Sequence, residues 1–319
     1  MIFSDICVQK NHLKKRTNTI ILAITTCLVW STVYAFIKIG LKYDTPLLFA
    51  GKRFILAGLL VVPFTGKISE YIGIIRSKPG IIVRVAFLQV IINYILFYRG
   101  MNLVPGALGA VIVGSQPLIT ALVASVMIKD DNINRRQIIT IIAGITGIIL
   151  ISAGRQALRL GTLSELLGVV FILGANISTS LSNVIVSVKS KGINPLVLNS
   201  FSLLTGGIFI MLVAMPIEGY NIAAVYPLKY WLALLWLAAV SAFGFSTWYK
   251  LLQRPGVKVS ELNLWKFIIP VFGAIISWVV VPEENPDILT ITGIIIISGS
   301  LLLFFSGIKG LTFDKAVNK

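Results

Sequence analysis

Charge is scarce along these 319 residues: only 13% are Asp, Glu, Lys or Arg, and the acids among them number twelve. Soluble domains carry about 25% charged residues, so an ordinary water-soluble fold is excluded. Disordered chains are polar and charge-rich, so disorder is excluded with it. Histidine occurs once, as His12 in a basic stretch, and cysteine twice, as Cys7 and Cys27. Without a CxxC pair or a disulfide framework, and with so few ligands, neither a metal nor another cofactor is expected. The phosphate-cradling pattern G-x-x-x-x-G-K-[ST] is missing, which removes ATP as a drive supplied by this chain. An intramembrane lipid-modifying enzyme would need a nucleophile with its base, or a metal, inside the apolar runs. One tail histidine and no clustered carboxylates argue against it, and no enzymatic activity is expected.

Apolar length, by contrast, is abundant. Hydrophobic residues make up 56% of the chain and the mean hydropathy is +0.92. A spanning helix takes ~20 mostly apolar residues. Ten runs qualify: 19–38, 46–65, 82–101, 106–127, 136–153, 163–186, 195–215, 229–249, 259–280 and 288–307. Their length and the lack of strict alternation predict helices rather than strands, so the fold class is an all-α membrane protein with ten transmembrane helices. Thr45-Pro46, Pro105-Gly106, Asn194-Pro195, Pro255-Gly256 and Pro286-Asp287 mark boundaries, and the connections leave no room for a soluble domain. Lys10, Lys14, Lys15 and Arg16 precede the first run as they would in a secretory signal. No convincing A-x-A site follows, so a retained first helix is expected.

The net charge of +16 is scattered in small groups between the runs rather than gathered on one basic face, which speaks for membrane orientation and against nucleic acid. Alternate connections divide the basic residues unevenly. One set, from the N-terminal tail through Lys67, Lys129, Lys189 and Arg254 to the tail with Lys319, holds nineteen. The other holds four: Lys42, Arg155, Arg159 and Lys229. The bias places both termini in the cytoplasm of a multi-pass plasma-membrane protein.

The two halves echo each other. Pro46-Leu47 followed by Ala57-Gly58 matches Pro195-Leu196 followed by Gly206-Gly207; Tyr98-Arg99 with Pro105-Gly106 matches Tyr249-Lys250 with Pro255-Gly256. Pro117 ahead of Asp130-Asp131 matches Pro270 ahead of Glu283-Glu284, and all the offsets fall between 149 and 153. Three matches in one order point to duplication. An odd number of spans per half then predicts inverted repeats, as in secondary transporters. The expected organisation is a basic tail 1–18, a first five-helix repeat 19–153, a connector 154–162, a second repeat 163–307 and a C-terminal tail 308–319.

Trp30-Ser31 with Lys38, then Pro46, Phe49-Ala50, Arg53-Phe54 and Leu56-Ala57, then Tyr98-Arg99, Pro105, Ala107 and Pro117-Leu118, and later Pro270-Val271-Phe272 and Glu283, run in an order that resembles the EamA-type transporters of the drug/metabolite transporter superfamily. The resemblance covers 19–307. It implies ten helices, a central cavity between the halves and transport of small metabolites. The family's Gly-Glu after the fourth span is Lys129-Asp130 here.

Polar side chains inside the runs should face protein or water, because a charge in hydrocarbon costs about 2.5–3.5 kcal/mol on insertion scales. Trp30, Tyr34 and Lys38 share one helical face, as a packing stripe or as a cavity wall holding apolar or charged substrate parts. Asn176, Ser180 and Asn183 share another, as interhelical hydrogen bonds or as a wet substrate surface. Asn93, Gln116 and Trp265 add to the substrate-binding candidates, and Pro117 and Pro270 are expected to kink their helices and free backbone carbonyls. Glu261 and Lys266 are candidates for proton coupling or an ion pair. Lys52 and Arg99 are expected to snorkel, while Arg53 fits either carbonyl capping or substrate. The function that follows is secondary transport of small organic metabolites by alternating access, amino acids or related amphipathic compounds among them, in the export direction. A lipid-headgroup flippase or a quaternary-amine or drug exporter on the same scaffold is the alternative. The partners are a small-molecule substrate and the lipid bilayer, with no nucleic acid and with a homodimer left open.

Overall fold

The computed structural model describes residues 2–104, 109, 112–155, 163–219, 225–280 and 287–306. The side chains of Cys7, His12, Tyr34 and Arg155, and the residues Pro105, Gly106, Arg159, Glu283, Glu284 and 307–319, lie outside what it describes.

Every element among the described residues is helical. In chain order they are α1 (Ile2–Ser31), α2 (Val33–Gly40), α3 (Pro46–Val61), α4 (Ile68–Ser77) and α5 (Pro79–Ala86); a π-helical segment (Phe87–Ile92) leads into α6 (Asn93–Met101). Then come α7 (Gln116–Met127), α8 (Arg135–Arg155), α9 (Leu163–Lys189), α10 (Pro195–Glu218) and α11 (Leu228–Leu252). α12 (Val259–Leu264) joins α13 (Ile268–Val280) through a single 3-10 turn, and α14 is Ile288–Ser306. Among the described residues seven helical stretches are long and apolar enough to cross a membrane, and Ile112–Met127 and Ile288–Leu303 are shorter apolar helices. Large apolar side chains point outward along them: Val126, Leu212 and Leu302 are 86%, 63% and 71% exposed. Such exposure suits lipid and would be costly in water.

Local sequence sets the helix starts. Pro46, Pro79 and Pro195 sit in first turns, where the missing N–H costs nothing. Asn134 and Gln137 form a reciprocal box at the start of α8, each side-chain oxygen accepting from the other's backbone N–H at 2.9 and 2.7 Å. Between α1 and α2 the backbone stays helical at Thr32 (φ −71°, ψ −21°) but its N–H bonds one residue short, to Val29 O, and Thr32 Oγ1 donates to the same carbonyl while accepting from Trp236 Nε1.

Packing repeats between the halves. α3 lies along α10, and α8 lies along α14. Both pairs run antiparallel, since Leu47 meets Glu218 while Gly58 meets Leu204, and Gly147 meets Ile297 while Ile151 meets Thr290. α11 also packs on α3, just as α5 and the π segment pack on α10. α1 rests on α11 and α13, and α9 rests on α6 and α7. A site between the halves is therefore walled by α1, α7, α11 and α12–α13.

Candidate functional site

An aromatic and polar cluster sits where those helices meet. Trp30 of α1 is flanked by two rings of α11, Phe245 at 5.6 Å and Trp248 at 5.2 Å between centroids. Their approach depends on Gly244, where an added Cβ would lie 2.3 Å from Trp30 Nε1. Over the rings hangs Lys266 from the 3-10 turn between α12 and α13: its Nζ is 4.9 Å from the Trp248 ring and 5.8 Å from that of Trp30. The same Nζ donates to Gln116 Oε1 across the halves at 3.2 Å. Pro270 lacks the N–H that would bond the Lys266 carbonyl, and the chain tightens into a 3-10 turn just before it. Pro117 follows a break at Ser115, whose N–H turns back to Ile112 O. Both prolines thus lie beside the cluster's polar residues.

Of the sequence candidates, this geometry joins Trp30, Gln116 and Lys266. Trp265 borders the same core, packed against the buried group that includes Cys27 and Trp248. Lys38 does not join: it is exposed near the end of α2, eight residues and so about 12 Å along the helix from Trp30. Asn93 is half-buried at the end of the π segment.

The polar stripe of α9 is a seam. Asn176 Nδ2 donates to Ile112 O at 2.7 Å, Ser180 Oγ lies 2.8 Å from Thr120 Oγ1, and Asn183 Nδ2 donates to Asn263 Oδ1 at 3.2 Å. All three are buried. They tie α9 to α7 and α12, closing over the backbone break at Ser115.

Several other charged groups have defined partners. Glu261 pairs with Lys258 at 3.8 Å, one turn away, and Lys266 turns to Gln116 instead. Lys52 reaches back toward the start of α3, where it holds Asp44 at 2.8 Å and Tyr226 Oη at 2.9 Å, and Tyr230 Oη donates to the same Asp44 carboxylate at 2.7 Å. Arg53, 4% exposed, donates from Nε to Ser241 Oγ at 2.9 Å and lies against the Phe54 ring. Glu218, unmarked by any sequence pattern, accepts the N–H groups of Leu47 and Leu48 at 3.1 Å, placing a negative charge at the positive end of α3. At the opposite end Arg254 donates to Thr19 Oγ1 at 2.7 Å, and partial burial holds its guanidinium below the ordinary value. The acid that does structural work after α7 is Asp131, not the exposed Asp130. Buried, it accepts from both the backbone N–H and the hydroxyl of Ser260, capping α12, while Gln137 Nε2 donates to the same hydroxyl.

Sequence reasoning misses Trp248, Ser241 and Glu218, since each is defined by a partner far away in the chain. The spacing of Trp248 four residues after Gly244 is the nearest thing to a signal.

With the geometry in view, relatives give it context. The EamA-like transporter family matches residues 17–153 and again 166–306. The uncharacterized transporter YvbV of Bacillus subtilis (strain 168) is 24% identical over 289 residues, covering 90% of this chain and 92% of its own. The uncharacterized inner membrane transporter YedA of Escherichia coli (strain K12) is 25% identical over 253 residues, 78% of each chain. One solved crystal structure shares the fold with a TM-score of 0.77, at 16% identity, over 90% of this chain and 96% of that one. Matched once by each half, this multi-pass membrane protein belongs to the EamA-like transporter family.

Proposed function

We propose that the chain is a secondary transporter that exports small organic metabolites, amino acids or related amphipathic compounds among them, by alternating access across the plasma membrane. In this reading ten helices form two inverted five-helix repeats with both termini in the cytoplasm. The observation that carries it is the antiparallel packing of like on like, α3 on α10 and α8 on α14, across glycine seams. Two equivalent halves in opposite orientation can trade shapes, so a site between them opens first to one side and then to the other. The cluster of Trp30, Trp248, Gln116 and Lys266 draws on both halves and offers aromatic faces beside polar donors, the mixture an amphipathic metabolite needs.

Counterflow in proteoliposomes tests this. Purified protein should exchange at least one labelled compound from an amino-acid and organic-acid panel, and Trp30→Ala should slow that exchange with unchanged protein incorporation. Folded protein that exchanges nothing across the panel would refute the carrier reading.

A further inference from the structure

The cluster holds hydrogen-bond donors that have no acceptor among the described residues. An ammonium carries three N–H donors, and Gln116 Oε1 accepts one of those of Lys266. That bond fixes the amide orientation, with Oε1 on Lys266 and Nε2 as the amide's donor end. Gln116 Nε2 is itself buried without a hydrogen-bond partner among the described residues, and so is Trp248 Nε1, on the ring that Lys266 covers. Trp248 is 1% exposed, so water from the bulk does not serve it. Among the described residues no carboxylate lies within ion-pair distance of Lys266, and the nearest acid in sequence, Glu261, is engaged by Lys258. Buried donors without acceptors are costly in a low-dielectric setting, and an arriving anion removes that cost.

We propose that Lys266 Nζ, Gln116 Nε2 and Trp248 Nε1 form a binding site for the carboxylate of an organic monoanion, with its apolar part against Trp30 and Phe245. One ammonium balances one negative charge, which favours a monocarboxylate over a phosphate dianion. The inference deepens the transporter reading, on which it rests for its meaning, by naming the substrate class; the site itself is testable without any flux.

The experiment uses purified full-length protein and compounds matched in skeleton: phenylacetate, phenylacetamide and phenethylamine, and hexanoate, hexanamide and hexylamine. Binding is read by tryptophan emission and by thermal shift. At least one carboxylate should bind about tenfold more tightly than its amide and amine partners, the scale expected for a hydrogen-bonded charge. Lys266→Gln should erase that preference and Lys266→Arg should keep it. Trp248→Phe, which keeps an aromatic ring and loses the N–H, should weaken carboxylate binding several-fold while leaving the amide unaffected. Amides or amines that bind as well as acids, a preference that survives Lys266→Gln, or no binding by either acid would overturn the proposal. Proteoliposome flux with the same compounds separates the two readings. Binding of carboxylates without flux refutes the carrier and keeps the site, whereas flux of amines or amides alone keeps the carrier and refutes the site.

Discussion

Depth in the membrane is a poor guide to what a polar side chain contributes; its partners decide. Asn176 lies well inside a span, yet Ile112 O still receives Ser115 N when the asparagine is removed. Interhelical bonds of this kind average about 0.6 kcal/mol. Asp131 lies near a helix end, and without it the buried N–H of Ser260 loses its acceptor, a loss worth about 1–3 kcal/mol. Asp131→Ala should therefore lower the melting temperature in detergent more than Asn176→Ala does, with Asp130→Ala close to wild type because that side is exposed. An equal fall for Asp130→Ala and Asp131→Ala would show that the cap is not what matters. The acid after the fourth span was legible as a residue type. Which of two adjacent aspartates turns inward was not, since that depends on where α12 begins in space.

Among elements, the closest approaches fall on glycines. A Cβ at Gly207 would lie 2.7 Å from Ile55 N and 3.0 Å from Gly51 O, and one at Gly293 would lie 2.4 Å from Gly147 O. Backbone cannot yield as a side-chain tip can, so the helices must separate. Gly207→Ala is expected to destabilise the protein by about 1–3 kcal/mol, the usual range for overpacking. Gly73→Ala in α4 meets nothing within 4 Å and should stabilise by up to about 1 kcal/mol through helix propensity alone. Thermal unfolding in detergent checks both signs. Helix positions were readable because proline and asparagine act through their own backbone; Pro46 and Pro195 open α3 and α10 where the spacing predicts. The π segment at Phe87–Ile92 and the turn at Thr32 had no such marker.

For the whole molecule, orientation is the property with the widest consequences. Lys42 and Lys191 are both exposed, on connections the charge bias assigns to opposite sides. With Cys7 and Cys27 replaced, a cysteine at 42 should react with an impermeant maleimide on intact cells. One at 191 should react only after permeabilisation. Labelling of both from outside would invert or break the two-sided arrangement, and the alternating-access reading with it.

Composition, run length and the echo between halves were sufficient for an all-helical membrane body built twice, because hydrophobic length and backbone chemistry are properties of consecutive residues. They were also sufficient to propose a direction, since basic residues follow the loops they lie in. Partners were another matter. That Lys266 faces Gln116 and two tryptophans, that Lys52 finds Asp44, and that Glu218 caps the helix at Pro46 are relations between positions far apart in the chain. Such pairs exist only once helices have packed, and burial then decides which polar groups are satisfied and which are left open for a ligand.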